Sequence, residues 1–269
     1  MPIRAISADG LSLYFASNRT EGYGSWDLWM TTRETTSDPW GEPVNLGSTV
    51  NGPTGEVFPS ISGDGLELYF AEWEIARSGG YGSGDLWVTK RPTKDDPWGM
   101  PMNLGLTVNS PRFDGNPFIL PDGLTLYFGS TRPEGYGEMD LWMTRRATDS
   151  EPWCTPVNLG PAVNSSAFEA MPSLSANGST LYFTSDRPGG SGGMDLWQVK
   201  ILPVVDFNND GNIDTDDLLI LIGYWGTNEP LCDICPTPVG DGIVDMKDLE
   251  VFMSYWEKEN MLETPEGEQ

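Results

Sequence analysis

Oxygen-bearing side chains alternate through "DFNNDGNIDTDD", residues 206–217. Asp206, Asn208 and Asp210 stand at positions one, three and five, with Asn212 at seven, Asp214 at nine and Asp217 at twelve. Gly211 occupies position six, where the chain must turn sharply and a residue free to take positive φ is comfortable. Hard oxygens at this spacing suit Ca²⁺ better than Mg²⁺, which demands a tighter octahedron. Asp206, Asn208 and Asp210 would give side-chain oxygens and Asn212 its carbonyl. Asp214 would act directly or through water, and Asp217 would close the loop. Thirty-one residues on, "GDGIVDMKDLEVFMSYW" repeats half of the pattern: Asp241, Asp245 and Asp248 align with Asp210, Asp214 and Asp217. Thr237 and Val239 stand where the second loop should begin with oxygens, and Asp233 could substitute if the segment bulges. Calcium in the second loop is left open.

Each loop leads into a helix-like word, "TDDLLILIGYW" ended by Gly226, and "MKDLEVFMSYW". Two such half-motifs, each followed by a helix, resemble the type I dockerin module, a pair of EF-hand-like loops, over about residues 204–257. The resemblance implies a small α-helical domain at 203–257, a cohesin-like protein partner and an extracellular setting. Residues 206–269 hold 16 acids and 2 bases. Crowded carboxylates repel without a cation, so folding of this part is expected to depend on metal. Cys232 and Cys235 are too few for a zinc site. The last stretch, 258–269, is polar and acidic and is expected to be disordered.

The rest of the chain is organised by repetition. "GYGSWDLWMTTR" at 22–33 returns as "GYGSGDLWVTKR", "GYGEMDLWMTRR" and "GSGGMDLWQVKI". The period is 55 residues, with one three-residue insertion inside "AEWEIAR" of the second unit. Each unit reads as four short strands, with Asp-Gly or Asn-Gly hairpin turns between the first two. Repeated four-stranded units of this size make the blades of a β-propeller. The blades run at about 1–51, 52–109, 110–164 and 165–202. Met1 falls inside the first strand of its unit and the fourth unit stops after its third, so an incomplete ring is expected. The expectation is a C-terminal piece of a longer product or a misassigned start. "SADGLSLYFASNR", "SGDGLELYF" and "NGSTLYFTSDRPGG" resemble the WD-40-like repeat of TolB-type exported proteins. That resemblance covers residues 1 to about 202 and implies an exported, all-β propeller without fixing a function.

Composition narrows the chemistry. The net charge of −25 over 269 residues repels nucleic acid and anionic membranes. The chain has no histidine, which removes imidazole mechanisms. No apolar run suits membrane insertion, and residues 1–20 lack the basic start and apolar core of a signal peptide.

Within each unit an Arg (Arg19, Arg77, Arg132, Arg187) precedes the Asp of "DLW" by eight residues, which predicts an Arg–Asp pair across the hairpin. The Trp of "DLW" and Trp40, Trp98 and Trp153 of the "PW" words read as packing. The candidate ligand face gathers Glu56, Asp114 and Glu169, each three residues before the Pro of an innermost strand. It also holds the inserted Trp73 and Glu74, which break the repeat, and Tyr23, Tyr81 and Tyr136. Acids with aromatic rims suit a glycan, a cationic peptide or a bound metal ion. The reading is an exported, non-catalytic binding or scaffold propeller with a calcium-dependent module for attachment. The alternative is a propeller-fold enzyme or accessory protein of polysaccharide degradation, with carboxylates from different blades acting as in glycoside hydrolases.

Overall fold

The computed structural model describes residues 4–73, 77–146, 148–175, 180–200, 205, 207–208, 212–227, 232 and 243–262. The chain divides into two compact units: Met1–Ser175 with Leu181–Val199, and Ala176–Thr180 with Lys200–Gln269.

The first unit is built of four antiparallel sheets, each in simple sequence order. Sheet one holds β1 (Arg4–Ile6), β2 (Ser12–Ser17), β3 (Asp27–Thr32) and β4 (Val44–Asn45). Sheet two holds β5 (Gly55–Ile61), β6 (Glu67–Trp73), β7 (Leu86–Lys90) and β8 (Met102–Asn103). Sheet three holds β9 (Asp114–Ile119), β10 (Thr125–Ser130), β11 (Asp140–Arg145) and β12 (Val157–Asn158). Sheet four has three strands among the described residues: β13 (Glu169–Leu174), β14 (Thr180–Ser185) and β15 (Asp195–Lys200). Strands β1, β5, β9 and β13 are innermost, and the sheets stack face to face in sequence order.

The hairpins follow from local chemistry. Gly10, Gly65 and Gly123 take φ near +70°, and the preceding Asp carboxylate accepts the N–H two residues on in each case (Leu11, Leu66, Leu124). Strand residues alternate between faces, and in β6 and β10 both faces are covered: Leu68, Tyr69, Phe70, Leu126, Tyr127 and Phe128 are all buried. That arrangement is forced on a sheet with a neighbour on each side.

The "GYG" words solve a packing problem. The carboxylate of Asp27 accepts the N–H of Tyr23 (2.7 Å) and Gly24 (2.9 Å) and the Asn45 amide (2.7 Å). Asp85 and Asp140 do the same in their sheets. The loop so fixed lies against the lead-in to the next sheet. A Cβ on Gly24, Gly82 or Gly137 would overlap the backbone oxygen of Thr54, Arg112 or Ala167 at under 3.0 Å. Trp26, Gly84 and Met139 bridge to Gly55, Phe113 and Phe168 beside these contacts, stitching sheet to sheet.

The second unit contains α1 (Thr215–Gly223) and α2 (Met246–Leu262). Its core is Val205, Phe207, Leu221, Cys232, Val244 and Phe252, with Phe207 and Phe252 stacked at 6.0 Å. Helix α1 starts with a reciprocal cap: Asp214 accepts the Asp216 N–H and Asp217 accepts the Asp214 N–H. No helix among the described residues is long and apolar enough to cross a membrane.

Candidate functional site

The innermost strands share one irregularity. The pairing of β5 with β6, β9 with β10 and β13 with β14 slips by one residue at a bulge. In each bulge a non-glycine residue takes left-handed backbone: Phe58 (φ 58°), Asn116 (φ 53°) and Met171 (φ 55°). Each precedes a proline (Pro59, Pro117, Pro172), which supplies no N–H to the ladder. Such conformations cost on the order of 1–3 kcal/mol apiece and persist where the surroundings over-determine them. All three residues line one cavity of about 520 Å³, together with Ile6, Ile61, Phe118 and Ile119. The Asn116 side-chain oxygen is itself fully buried, without a hydrogen-bond partner. The described lining carries no charged group and the Asn116 oxygen is itself closed off from solvent, so the cavity offers mainly apolar area.

Trp73 does not line this cavity but packs against Phe58, which does. It is 43% exposed and meets Phe58 edge-to-face at 6.1 Å and Phe113 at 5.6 Å. Glu74 lies outside the described residues. The tyrosines of the "GYG" loops, Tyr23, Tyr81 and Tyr136, are about half exposed.

Glu56, Asp114 and Glu169 are not presented to a ligand. All three are fully buried and paired with the arginine of their own sheet: Arg77–Glu56 at 3.0 Å, Arg132–Asp114 at 2.6 Å and Arg187–Glu169 at 3.1 Å. Loop N–H groups of Gly52, Ser110 and Ser165 add charge-assisted bonds. Burial still pushes the Glu56 carboxyl above its ordinary range, opposed by Thr54, Gly52 and Arg77. This corrects the expected Arg–Asp pair across the hairpin. The "DLW" carboxylates are saturated by their own loops, so the arginines reach the inner-strand acids instead. Each guanidinium also lies over two rings, as Arg132 does over Phe128 (5.2 Å) and Trp142 (4.9 Å).

Sheet two carries a further acid that the repeat does not share. Ser17, Ser130 and Ser185 accept the Nε–H of Arg19, Arg132 and Arg187, whereas sheet two has Glu72 at that position. Glu72 is fully buried, and neither carboxylate oxygen has a well-formed hydrogen bond. Burial is the main cause that pushes its pKa up to about 7. The Arg77 amide approaches and lowers it in part, while the nearby Asp85 charge raises it further.

In the second unit, Asp217 and Asp248 are fully buried at matching places. Asp217 accepts the N–H of Asn208 (3.1 Å) and Asp214 (3.0 Å), and Asp248 accepts the N–H of Asp245 (2.7 Å). The loop backbone thus wraps the residue expected to close it. Asn208, Asn212 and Asp214 are described with it, an all-oxygen set of the kind that fits a hard cation. Asp206, Asp210, Asp233 and Asp241 lie outside the described residues. Among the described residues no three carboxylate or thiol groups converge as a metal cluster.

Four stacked repeats around a shared cavity, three of four strands and one of three among the described residues, decide the architecture of the first unit. It is a β-propeller of four blades. The chain is similar to the crystal structure of TolB from Acinetobacter baumannii: 15% identity, TM-score 0.49, covering 74% of this chain and 40% of that one. Likeness to putative TolB from Agrobacterium tumefaciens is 17% identical with TM-score 0.49, over 74% of this chain and 60% of that one. Endo-arabinase from Bacteroides thetaiotaomicron is matched at 15% identity and TM-score 0.49, over 75% of this chain and 74% of that one. The propeller therefore spans 40–60% of the length of the two TolB structures. No protein-family model matches the chain, and no curated protein matches it. The blades themselves carry the fold assignment; these likenesses carry nothing about activity.

The cavity residues were not among those singled out by sequence. The signal was present: in "FP", "NP" and "MP" the proline repeats while the residue before it changes in every unit.

Proposed function

We propose that the protein is an exported binding propeller that holds its ligand at the inner-strand bulges and is tethered through a calcium-dependent, dockerin-like module. The observation that carries the first part is the trio of left-handed residues, Phe58, Asn116 and Met171, gathered on one cavity. Backbone strain repeated at equivalent places around one space supports reading that space as a site. The apolar lining favours a peptide segment bearing an aromatic or aliphatic side chain over a glycan whose hydroxyls would go unpaired. The lining is also uncharged, which favours binding over the glycoside-hydrolase alternative. Selection from a random peptide display library should enrich sequences with such a side chain. Binding should fall at least tenfold with Phe58→Ala or Asn116→Ala. Equal enrichment on those variants would overturn the cavity reading.

The tether rests on the oxygen-rich loop around Asp217 and on its half-repeat around Asp248. A bound Ca²⁺ would be held by Asp206, Asn208, Asp210, Asn212, Asp214 and Asp217, and would neutralise carboxylates that otherwise repel. The partner fitting such a module is a cohesin-like protein, and millimolar extracellular calcium suits the site. Calorimetric titration of the whole chain should show binding of at least one Ca²⁺, with a gain in helical circular dichroism that Asp217→Asn diminishes. A stoichiometry of two would mean that Asp233 completes the second loop. No heat at millimolar calcium would remove the module and the tether together.

A further inference from the structure

Blade two buries a carboxylate that has no counterpart in blade three. There the guanidinium of Arg132 serves Asp114, and Asp140 is held by its own loop. Arg77 likewise serves Glu56 and donates to the Val50 carbonyl, and Asp85 is held by Tyr81, Gly82 and Asn103. Glu72 is left over. It is fully buried and pairs with Glu56 across the two strands, where like charges oppose one another. None of the ion pairs found among the described residues includes it. A buried carboxylate in that position calls for a cation or a proton.

The surroundings of Glu72 are oxygen-rich. A Cβ built on Gly80 would find Glu72 Oε1 at 3.0 Å, the Arg77 carbonyl oxygen at 3.1 Å and Asp85 Oδ2 at 3.1 Å. At the equivalent glycines of blades one and three, Gly22 and Gly135, the nearest atoms all belong to a single carboxylate, Asp27 or Asp140. Blade two therefore gathers oxygens from three residues about one spot. Both Glu72 oxygens are buried without a well-formed hydrogen bond. The Arg77 carbonyl accepts the Gly80 N–H at 2.9 Å and keeps its second lone pair. Asp85 already accepts three N–H groups, so it lends negative field more than a free ligand oxygen. Ser78 and Gly79 are exposed one turn away, which brings water within reach.

We propose that blade two binds a Ca²⁺ ion against Glu72, with the Arg77 carbonyl as a second ligand, Asp85 adding negative field and water completing the shell. Hard oxygen donors in an irregular set, one of them a backbone carbonyl, suit Ca²⁺ better than Mg²⁺, which demands a near-ideal octahedron. Two carboxylates without a guanidinium between them match its charge. The site shares no residue with the oxygen-rich loops of the second unit. Ion and proton compete for the same carboxylate. In chelator the ion is gone, and Glu72 is left to its proton.

Equilibrium dialysis of the full chain against Ca²⁺, counting bound ions per chain, tests this. Glu72→Ser should bind one ion fewer than wild type. Serine is what the other three blades carry at this place, so the variant keeps a side chain that the fold accepts, and circular dichroism checks that it does. Glu72→Gln keeps the volume and should weaken the same ion roughly tenfold or more. The ion should survive Asp217→Asn, which acts only on the second unit, and the ions still counted in Glu72→Ser are those of the second unit. Equal counts in wild type and Glu72→Ser would overturn the site and leave the second unit's calcium standing. Loss of all bound Ca²⁺ in Asp217→Asn would overturn it as well.

Discussion

Replacing Glu72 by serine should stabilise the protein at pH 8 by about 3 kcal/mol and change it little at pH 4.5. Burial holds the Glu72 pKa near 7 in the folded protein, above the ordinary 4.5. The folded state therefore keeps a proton that the unfolded chain has released throughout the interval from about 4.5 to about 7. Stability falls as pH rises through that interval, by about 1.4 kcal/mol per pH unit, and levels off above it. Serine at this place is what the other three blades carry, where its hydroxyl takes the arginine Nε–H. Glu72→Gln keeps the volume and removes the titration, so it separates charge from packing. Urea denaturation of wild type and both variants at pH 4.5, 6 and 8 gives the answer. A stability gap that is the same at every pH would show that Glu72 is not the titrating group.

Arg132→Ala should be the more damaging change, costing about 3–5 kcal/mol. It leaves the fully buried Asp114 carboxylate without its cation, and an uncompensated buried charge is the expensive outcome. The same substitution strips the bond to the Val108 carbonyl at 2.7 Å and the stacking over Phe128 and Trp142. Removing both partners, Arg132→Ala with Asp114→Ala, should recover part of the loss, because no charge is then stranded. Arg19 provides a control inside the same chain. It stacks on Trp29 at 4.6 Å and bonds Ser17, but it is exposed and forms none of the ion pairs found among the described residues. Arg19→Ala should therefore cost about 1 kcal/mol or less. A loss as small as that for Arg132 would mean that its pair behaves like a surface ion pair.

The repeat made the sheets legible. "LYF" and "DLW" fall in second and third strands in all four units, and the Asp-Gly turns lie between strands as their chemistry demands. The pairing of charges was not legible for a physical reason. The eight-residue spacing from Arg132 to Asp140 looks like a cross-hairpin pair. However, Asp140 is satisfied by the N–H groups of Tyr136 and Gly137 and by the Asn158 amide. Arg132 turns to Asp114 in the innermost strand, a partner that only the completed sheet brings near. The same burial removed Glu56, Asp114 and Glu169 from any ligand face. Trp73 was singled out because it breaks the repeat, and it packs against Phe58 without lining the cavity. Phe58, Asn116 and Met171 were missed because side-chain types as unlike as these announce no shared backbone conformation. Their common feature is a register slip, which is a property of two strands together.

The bulges separate what holds the blade from what lines the cavity. The acid two residues earlier is fixed to its arginine and the proline that follows repeats, so neither is free to change. The left-handed residue between them answers to neither. Phe58, Asn116 and Met171 are three different letters at one place in a constant grammar. What changes from blade to blade at these three places is the lining of the cavity, while an acid before them and a proline after them stay constant.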